Sequence, residues 1–139
     1  MLCPVPKNLL REAEKFHGHL GAFLVLGLKA GLYSNEILGK DLFVTHARVE
    51  TESTPPRSYF VDGIQLTTGC TMGKRNIELM EGDSLSVTFT KNNRQLTLRI
   101  KPALLKELTG IASMGEGERA ALRLVDKPVE DLFDTSSSL

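Results

Sequence analysis

The chain of 139 residues has the length of a single domain, and its 17 basic residues balance its 17 acidic ones. A net charge of zero gives no whole-chain attraction for nucleic acid or for an anionic membrane surface. Two cysteines are too few for a disulfide-rich scaffold, a four-cysteine zinc site or an iron–sulfur cluster built within one chain. A metal site must therefore mix ligand types or use a second chain.

The hydrophobic pattern favours a cytoplasmic protein. The longest apolar stretch, Leu20 to Leu28, is far shorter than the ~20 residues that a membrane span requires. The N-terminal residues carry several charges and lack the apolar segment of a signal peptide. We therefore expect no membrane and no nucleic acid as partner, and a reducing location in which Cys3 and Cys70 are free thiols.

The first half of the chain predicts two helices, a strand and a third helix. These cover about 6–16, Gly21 to Leu38, Leu42 to Thr51, and Ser58 to Thr68. The second helix is apolar nearly all round, which is typical of a buried helix. Gly27 and Gly31 on this helix would allow another backbone to approach closely.

The second half predicts three strands followed by helices. A short strand over Ile77 to Leu79 precedes a hairpin of two alternating strands, 84–90 and 95–100, whose turn contains Asn92 and Asn93. Helices are expected over 103–109 and 116–125. The small polar residues 134–139 predict a disordered tail, so that residues 1–133 form one α+β domain.

Two of the three histidines flank a glycine, in His17-Gly18-His19. On a regular helix the two rings would point about 200° apart, whereas in a turn they can face the same way, and Gly18 permits such a turn. Imidazole is a ligand for zinc, nickel, copper and iron. The pair is therefore a candidate half-site for a metal, with a helix cap or a structural role as the alternative. The third histidine, His46, is predicted to be half-buried in a strand.

The second candidate is the loop Gly69 to Lys74, which places a thiol between glycines and follows it with a lysine. Backbone N–H groups in such a loop can bind an anion, and a nearby lysine favours the thiolate form of a cysteine. A tight turn around a buried cysteine is the alternative. The candidate ligand-binding residues in and before this loop are Asp62, Gln65, Thr71 and Lys74.

Together the two segments resemble a known family. Phe16 to Leu20, followed by a long apolar helix, is similar to the opening motif of the E-type subunit of tungsten/molybdenum formylmethanofuran dehydrogenase. Val61 to Asn76 resembles the second signature of that family, Asp-x-Ile/Val-Gln-x-x-Thr-Gly-Cys-Thr-x-Gly-Lys-x-Asn. The motifs occur in the family's order, and the resemblance covers roughly residues 10–101.

The resemblance implies a mixed four-stranded sheet like that of the substrate domain of glyceraldehyde-3-phosphate dehydrogenase. It also implies a site for zinc or another divalent transition metal, held by His17, His19 and Cys70. Members commonly carry cysteine where this chain has Gly21, and often where it has Tyr59. The paired cysteines of the C-terminal zinc ribbon that many members carry also have no counterpart in these residues. Three ligands would leave an open position for water or substrate.

Three functions fit these residues, and whether the protein is an enzyme stays open. The first is a metal-binding accessory protein for one-carbon metabolism of the methanogenesis type, or for assembly of a formylmethanofuran dehydrogenase-like complex whose redox chemistry other subunits carry. The second is a small metal-dependent hydrolase or lyase, with Asp62 as base and Lys74 as anion anchor. The third is a non-catalytic module that binds a pterin or an anion. A homodimer is expected under all three.

Overall fold

Six helices and five strands make up the part of the chain that the computed structural model describes, residues 1–111 and 114–139. The helices are α1 (Lys7–His17), α2 (Ala22–Leu38), α3 (Tyr59–Thr68), α4 (Pro102–Thr109), α5 (Met114–Leu124) and α6 (Val129–Leu132). The strands are β1 (His46–Thr51), β2 (Ile77–Glu81), β3 (Ser86–Lys91), β4 (Arg94–Ile100) and β5 (Phe133–Ser138). Within these described ranges, no helix combines the length and the apolar character needed to cross a bilayer.

The strands form one mixed sheet in the order β2-β1-β3-β4-β5. β1 pairs with β2 in parallel, and the other three pairings are antiparallel. The predicted hairpin is confirmed: Lys91 pairs with Arg94, and Asn92 takes a φ of +56° in the turn between them. Alternate residues of the central strands are buried against the helices, so the opposite face of the sheet carries polar side chains.

The end of the chain corrects two expectations, because residues 133–138 form a fifth strand where a four-stranded sheet and a disordered tail were predicted. Phe133 is buried and pairs with Ile100, and the pairing continues to Ser138 opposite Gln95. The serine-rich segment has no apolar alternation, so backbone hydrogen bonds to β4 hold it. The likeness to the glyceraldehyde-3-phosphate dehydrogenase domain stays a prediction.

β1 begins later than its composition predicted. The carboxylate of Asp41 accepts hydrogen bonds from the backbone N–H groups of Phe43 (3.1 Å) and Val44 (3.0 Å), which bends residues 42–44 into a turn. Leu42, Phe43 and Val44 are therefore exposed on a loop instead of lying in the sheet.

α2 is the buried centre of the fold, and it crosses α3 at very short range. A Cβ atom on Gly27 would collide with the carbonyl oxygen of Phe60, and one on Gly63 would lie 2.5 Å from the carbonyl oxygen of Leu24. The predicted close backbone approach is thereby confirmed at Gly27, with α3 as the partner, whereas the atoms nearest to Gly31 belong to α3 side chains, those of Thr67 and Thr68. This packing brings the start of α2 and the start of α3 together, where the candidate site lies.

A buried lysine in the middle of α2 binds two segments that are distant in the chain. The Nζ atom of Lys29 donates hydrogen bonds to the carbonyl oxygens of Leu2 (2.6 Å), Cys3 (2.9 Å) and Val125 (3.2 Å). The side chain is fully buried, and burial lowers the pKa of its ammonium group. Lys29 therefore joins the N-terminal segment and the end of α5 to the core.

Candidate functional site

The two histidines of the His-Gly-His motif lie side by side. α1 ends at His17 because Gly18 takes a left-handed conformation, with a φ of +108°, and turns the chain back before α2 begins. As a result the two imidazole rings lie beside each other, with their centroids 4.8 Å apart and their planes at 37°. The turn that Gly18 was predicted to permit is confirmed, and it brings the two rings into contact.

His17 is held by a carboxylate from α3. Its Nδ1 atom lies 2.6 Å from Oδ2 of Asp62, in the first turn of that helix. An ionised carboxylate can only accept, so in a neutral imidazole this bond places the proton on Nδ1 and leaves the lone pair on Nε2. The side chain of His17 is 4% exposed, and among the described residues its Nε2 atom has no hydrogen-bond partner. A buried, unpaired acceptor of this kind is a position at which a water, an ion or a ligand can bind.

Tyr59 completes the cluster. Its ring meets that of His17 edge to face, with centroids 4.2 Å apart, and that of His19 at 5.3 Å. Tyr59 is the first residue of α3, one turn from Asp62, so one helix supplies both the carboxylate and the aromatic wall. The sequence marked this position only as a departure from the family pattern.

A cavity of about 260 Å³ opens beside this cluster, with His19 and Tyr59 in its wall. The rest of its lining is largely apolar. Leu20 and Phe23 follow His19 in the chain, whereas Pro56, Leu108 and Ile111 come from distant segments. Because α4 and the segment before α3 reach the site only through packing, no local motif could have identified those three residues.

Cys70 lies at the other end of α3, away from the histidines. Asp62 and Tyr59 occupy the first turn of this ten-residue helix, which at 1.5 Å per residue is about 15 Å long, and Cys70 follows its last turn. The thiol is fully buried and donates to the carbonyl oxygen of Thr45 (3.3 Å). Burial raises the pKa of Cys70, which outweighs the opposite effects of Thr68 and Lys74. The structure therefore does not assemble the expected set of His17, His19 and Cys70.

The polar groups of the loop after α3 are used within the chain. Oε1 of Gln65 accepts a backbone N–H of this loop (2.9 Å), and Oγ1 of Thr71 accepts the N–H of Lys74 (3.3 Å). Nζ of Lys74 donates to the carbonyl oxygen of Leu42 (2.6 Å). Of the four predicted ligand-binding residues, only Asp62 lies at the histidine cluster.

The cluster offers fewer metal ligands than the three that the resemblance implies. Within residues 1–111 and 114–139, no group of three or more His, Cys, Asp or Glu side chains is arranged to hold a metal ion. His17 offers its unpaired Nε2, and His19 lies beside it, so two imidazoles are available. A Cβ atom on Gly21 would lie 3.5 Å from Nε2 of His19, and Tyr59 touches both rings. The two positions where relatives carry cysteine are therefore at this cluster.

Residues 16–134, most of the chain, match the family described as "FmdE, Molybdenum formylmethanofuran dehydrogenase operon". A curated protein of Archaeoglobus fulgidus, the "Probable S-adenosyl-L-methionine-binding protein", is 26% identical to this chain over 95 residues. The match covers 67% of this chain and 26% of that protein. The chain thus corresponds to about a quarter of the length of this relative.

Proposed function

The chain belongs to the FmdE family, and on that premise we propose that it is an accessory protein related to formylmethanofuran dehydrogenase that binds a divalent transition metal, such as zinc, at His17 and His19. One observation carries the proposal: the Nε2 atom of His17 is buried and unpaired among the described residues, in a ring whose centroid is 4.8 Å from that of His19. Redox chemistry on one-carbon units is left to other components of the system.

The chain's own residues prepare this site. Asp62 holds His17 in the tautomer with a free Nε2 lone pair, which is the arrangement that carboxylates impose on metal-binding histidines. Tyr59 packs against both rings, and the wall of the adjacent cavity is largely apolar. A metal bound here would act as a Lewis acid toward a ligand in the adjacent cavity. Cys70 is left out of the ligand set because it sits at the far end of α3.

Metal content distinguishes this ligand set from the one that includes Cys70. We expect the wild-type protein, titrated with Zn²⁺ or Co²⁺ and analysed for bound metal, to take up one ion per chain. His17→Ala and His19→Ala should lose it, whereas Cys70→Ser and His46→Ala should retain it, since the side chain of His46 is 40% exposed and lies in β1. Equal metal content in all five proteins would rule out the histidine site.

A metal-dependent hydrolase or lyase is the second candidate, and the open cavity beside His19 supports it. The proposed role of Asp62 then changes. Its Oδ2 atom is bound to His17, so it positions that imidazole, and Nε2 of His17 would be taken by the metal rather than act as the base. Turnover of ester or phosphate substrates that is lost in both His17→Ala and His19→Ala would favour an enzyme over an accessory protein. The same variants with unchanged turnover would exclude this site as its source.

Partners are part of the proposal. β2 and β5 are the outer strands of the sheet, and β2 exposes Leu79 and Met80. An open strand edge with apolar side chains favours pairing with another chain. We expect association either as a homodimer or with the components of a formylmethanofuran dehydrogenase-like complex. Light scattering of the purified protein, alone and after Leu79→Lys, tests the homodimer.

A further inference from the structure

A second cavity, of about 360 Å³, lies between β4, α4 and the segment that leads into α3. Its floor is apolar and includes Leu85, Ile100 and Leu105. Three basic side chains line it: Arg57, Arg99 and Lys106. None of them belongs to the histidine cluster, and no sequence motif marked them.

Arg57 is fixed in place by the chain. Its Nη1 atom donates to the carbonyl oxygen of Asp83 (3.2 Å) and its Nη2 atom to Oγ1 of Thr109 (3.3 Å). The carboxylate of Glu52 lies 3.2 Å from Nη1, and the side chain of Arg57 is 19% exposed. The guanidinium is therefore pre-oriented at the cavity wall.

The other two cations have no such partners. The side chains of Arg99 and Lys106 make no hydrogen bond and no ion pair with the described residues. Asp134 is opposite Arg99 in the sheet, but it pairs with Lys101 at 3.6 Å. Asp83 is the one acidic residue in the described lining, so the three cations leave the cavity with an excess of positive charge.

We propose that this cavity binds a small organic anion, with its phosphate or carboxylate group against Arg99 and Lys106 and its apolar part on the floor. Guanidinium groups bind the oxygen atoms of both anions in a bidentate manner, and an ammonium group adds a further charge-assisted hydrogen bond. The cavity is larger than a single oxyanion requires, and the apolar floor favours an organic ligand over inorganic phosphate. This site is separate from the histidine pair, and the proposal does not depend on metal binding.

Phenyl phosphate, benzoate and inorganic phosphate are suitable probes, titrated by calorimetry at low ionic strength. We expect the wild type to bind at least one of the two organic anions more tightly than inorganic phosphate, and the stronger one identifies the preferred acid group. Arg99→Gln and Lys106→Gln should each weaken that binding by about tenfold or more, since each removes a charge-assisted contact. Both side chains are exposed, so the variants should fold normally, which circular dichroism checks.

Arg48→Gln is the matched control, because Arg48 is an exposed arginine on β1 of the same sheet, outside this cavity. His17→Ala should also bind the anion like the wild type, which separates this proposal from the metal site. Three results would overturn the proposal: no binding of any probe to the wild type, unchanged binding in both cavity variants, or a loss in Arg48→Gln as large as in Arg99→Gln.

Discussion

Nδ1 of His17 and Oδ2 of Asp62 lie 2.6 Å apart, although 45 positions separate the two residues in the chain. The contact joins the end of α1 to the first turn of α3 and selects the tautomer of the imidazole. It links the two sequence motifs through Asp62 rather than through Cys70. The following predictions test this site and the packing that builds it.

Asp62→Asn should weaken metal binding at the histidine pair by about 10–100-fold, because the amide can present its N–H₂ group to Nδ1 and reverse the tautomer. Asp62 is partly exposed, with a side chain that is 34% accessible, so the fold should persist. Titration with Co²⁺ measures the change. Asp131→Asn, an exposed carboxylate on α6, should bind like the wild type. Equal affinity in both variants would contradict an orienting role for Asp62.

Adding thiols to the histidine cluster should strengthen it as a metal site. A cysteine fits at position 21, where φ is −144°, with its Cβ atom 3.5 Å from Nε2 of His19. The double variant Gly21→Cys, Tyr59→Cys should bind Co²⁺ about tenfold or more tightly and show a thiolate-to-cobalt absorption band. Gly73→Cys is the control, since a Cβ there meets no other atom within 4 Å. If the control shows the same absorption band, cobalt binding does not depend on the histidine cluster.

Cys70 should react with thiol reagents far more slowly than Cys3. Cys70 is fully buried, whereas Cys3 is only partly buried, and burial raises the pKa of both thiols. In Cys3→Ser, the remaining thiol should react with Ellman's reagent at pH 8 only as fast as the protein opens. Modification within the mixing time would show that Cys70 is accessible.

The raised pKa of Cys70 also has a consequence for stability. Above the ordinary thiol pKa of 9.0 the unfolded chain releases this proton while the folded chain retains it, so the free energy of unfolding should fall as the pH rises through that value. In a Cys3→Ser background, Cys70→Ala should make the free energy of unfolding decrease less between pH 7 and pH 10. Urea melts at pH 7 and pH 10 measure the difference, and parallel curves for the two proteins would refute it.

Lys29→Met should lower the free energy of unfolding by about 2–4 kcal/mol, because the carbonyl oxygens of Leu2 and Cys3 lose this donor and that of Val125 loses one of two. The N-terminal segment should become accessible to proteases in the same variant. Lys40→Met is the control, since Lys40 is exposed and makes no contact of this kind among the described residues. Urea denaturation measures the free energy of unfolding of both variants. A similar small change in both would mean that the hydrogen bonds of Lys29 add little to the stability of the fold.

Gly27→Ala should destabilise the protein by about 3 kcal/mol or more, or prevent folding, because the new Cβ atom would collide with the carbonyl oxygen of Phe60. Gly117→Ala makes the same change in α5, where among the described residues a Cβ meets nothing within 4 Å beyond its own stretch of helix backbone. That variant should gain about 0.5–1 kcal/mol, as alanine favours helix. Thermal melts distinguish them, and equal stability of both variants would contradict the close crossing of α2 and α3.

Some features of the site were readable from short stretches of sequence. Gly18 between two histidines predicts a turn that brings both rings together. The turn depends on the positive φ of this single glycine, so it is visible in the local sequence. The hairpin of β3 and β4 follows from alternation of period two around two asparagines. Even the close crossing was visible as Gly27 and Gly31 on one apolar helix, although α3 could not be named as the partner.

Local patterns were enough for α1 to α5, the hairpin and the histidine turn because each depends on the periodicity or backbone freedom of neighbouring residues. Tertiary packing alone decided which end of α3 meets the histidines. Asp62 and Tyr59 join them, and Cys70 is left at the far end because the helix separates its two ends by a fixed rise per residue. It also decided that residues 133–138 pair with β4, since backbone hydrogen bonds between strands leave no pattern in the side chains. The scarcity of thiols was plain from the composition, but only the folded chain shows that Gly21 and Tyr59 stand against the two imidazoles.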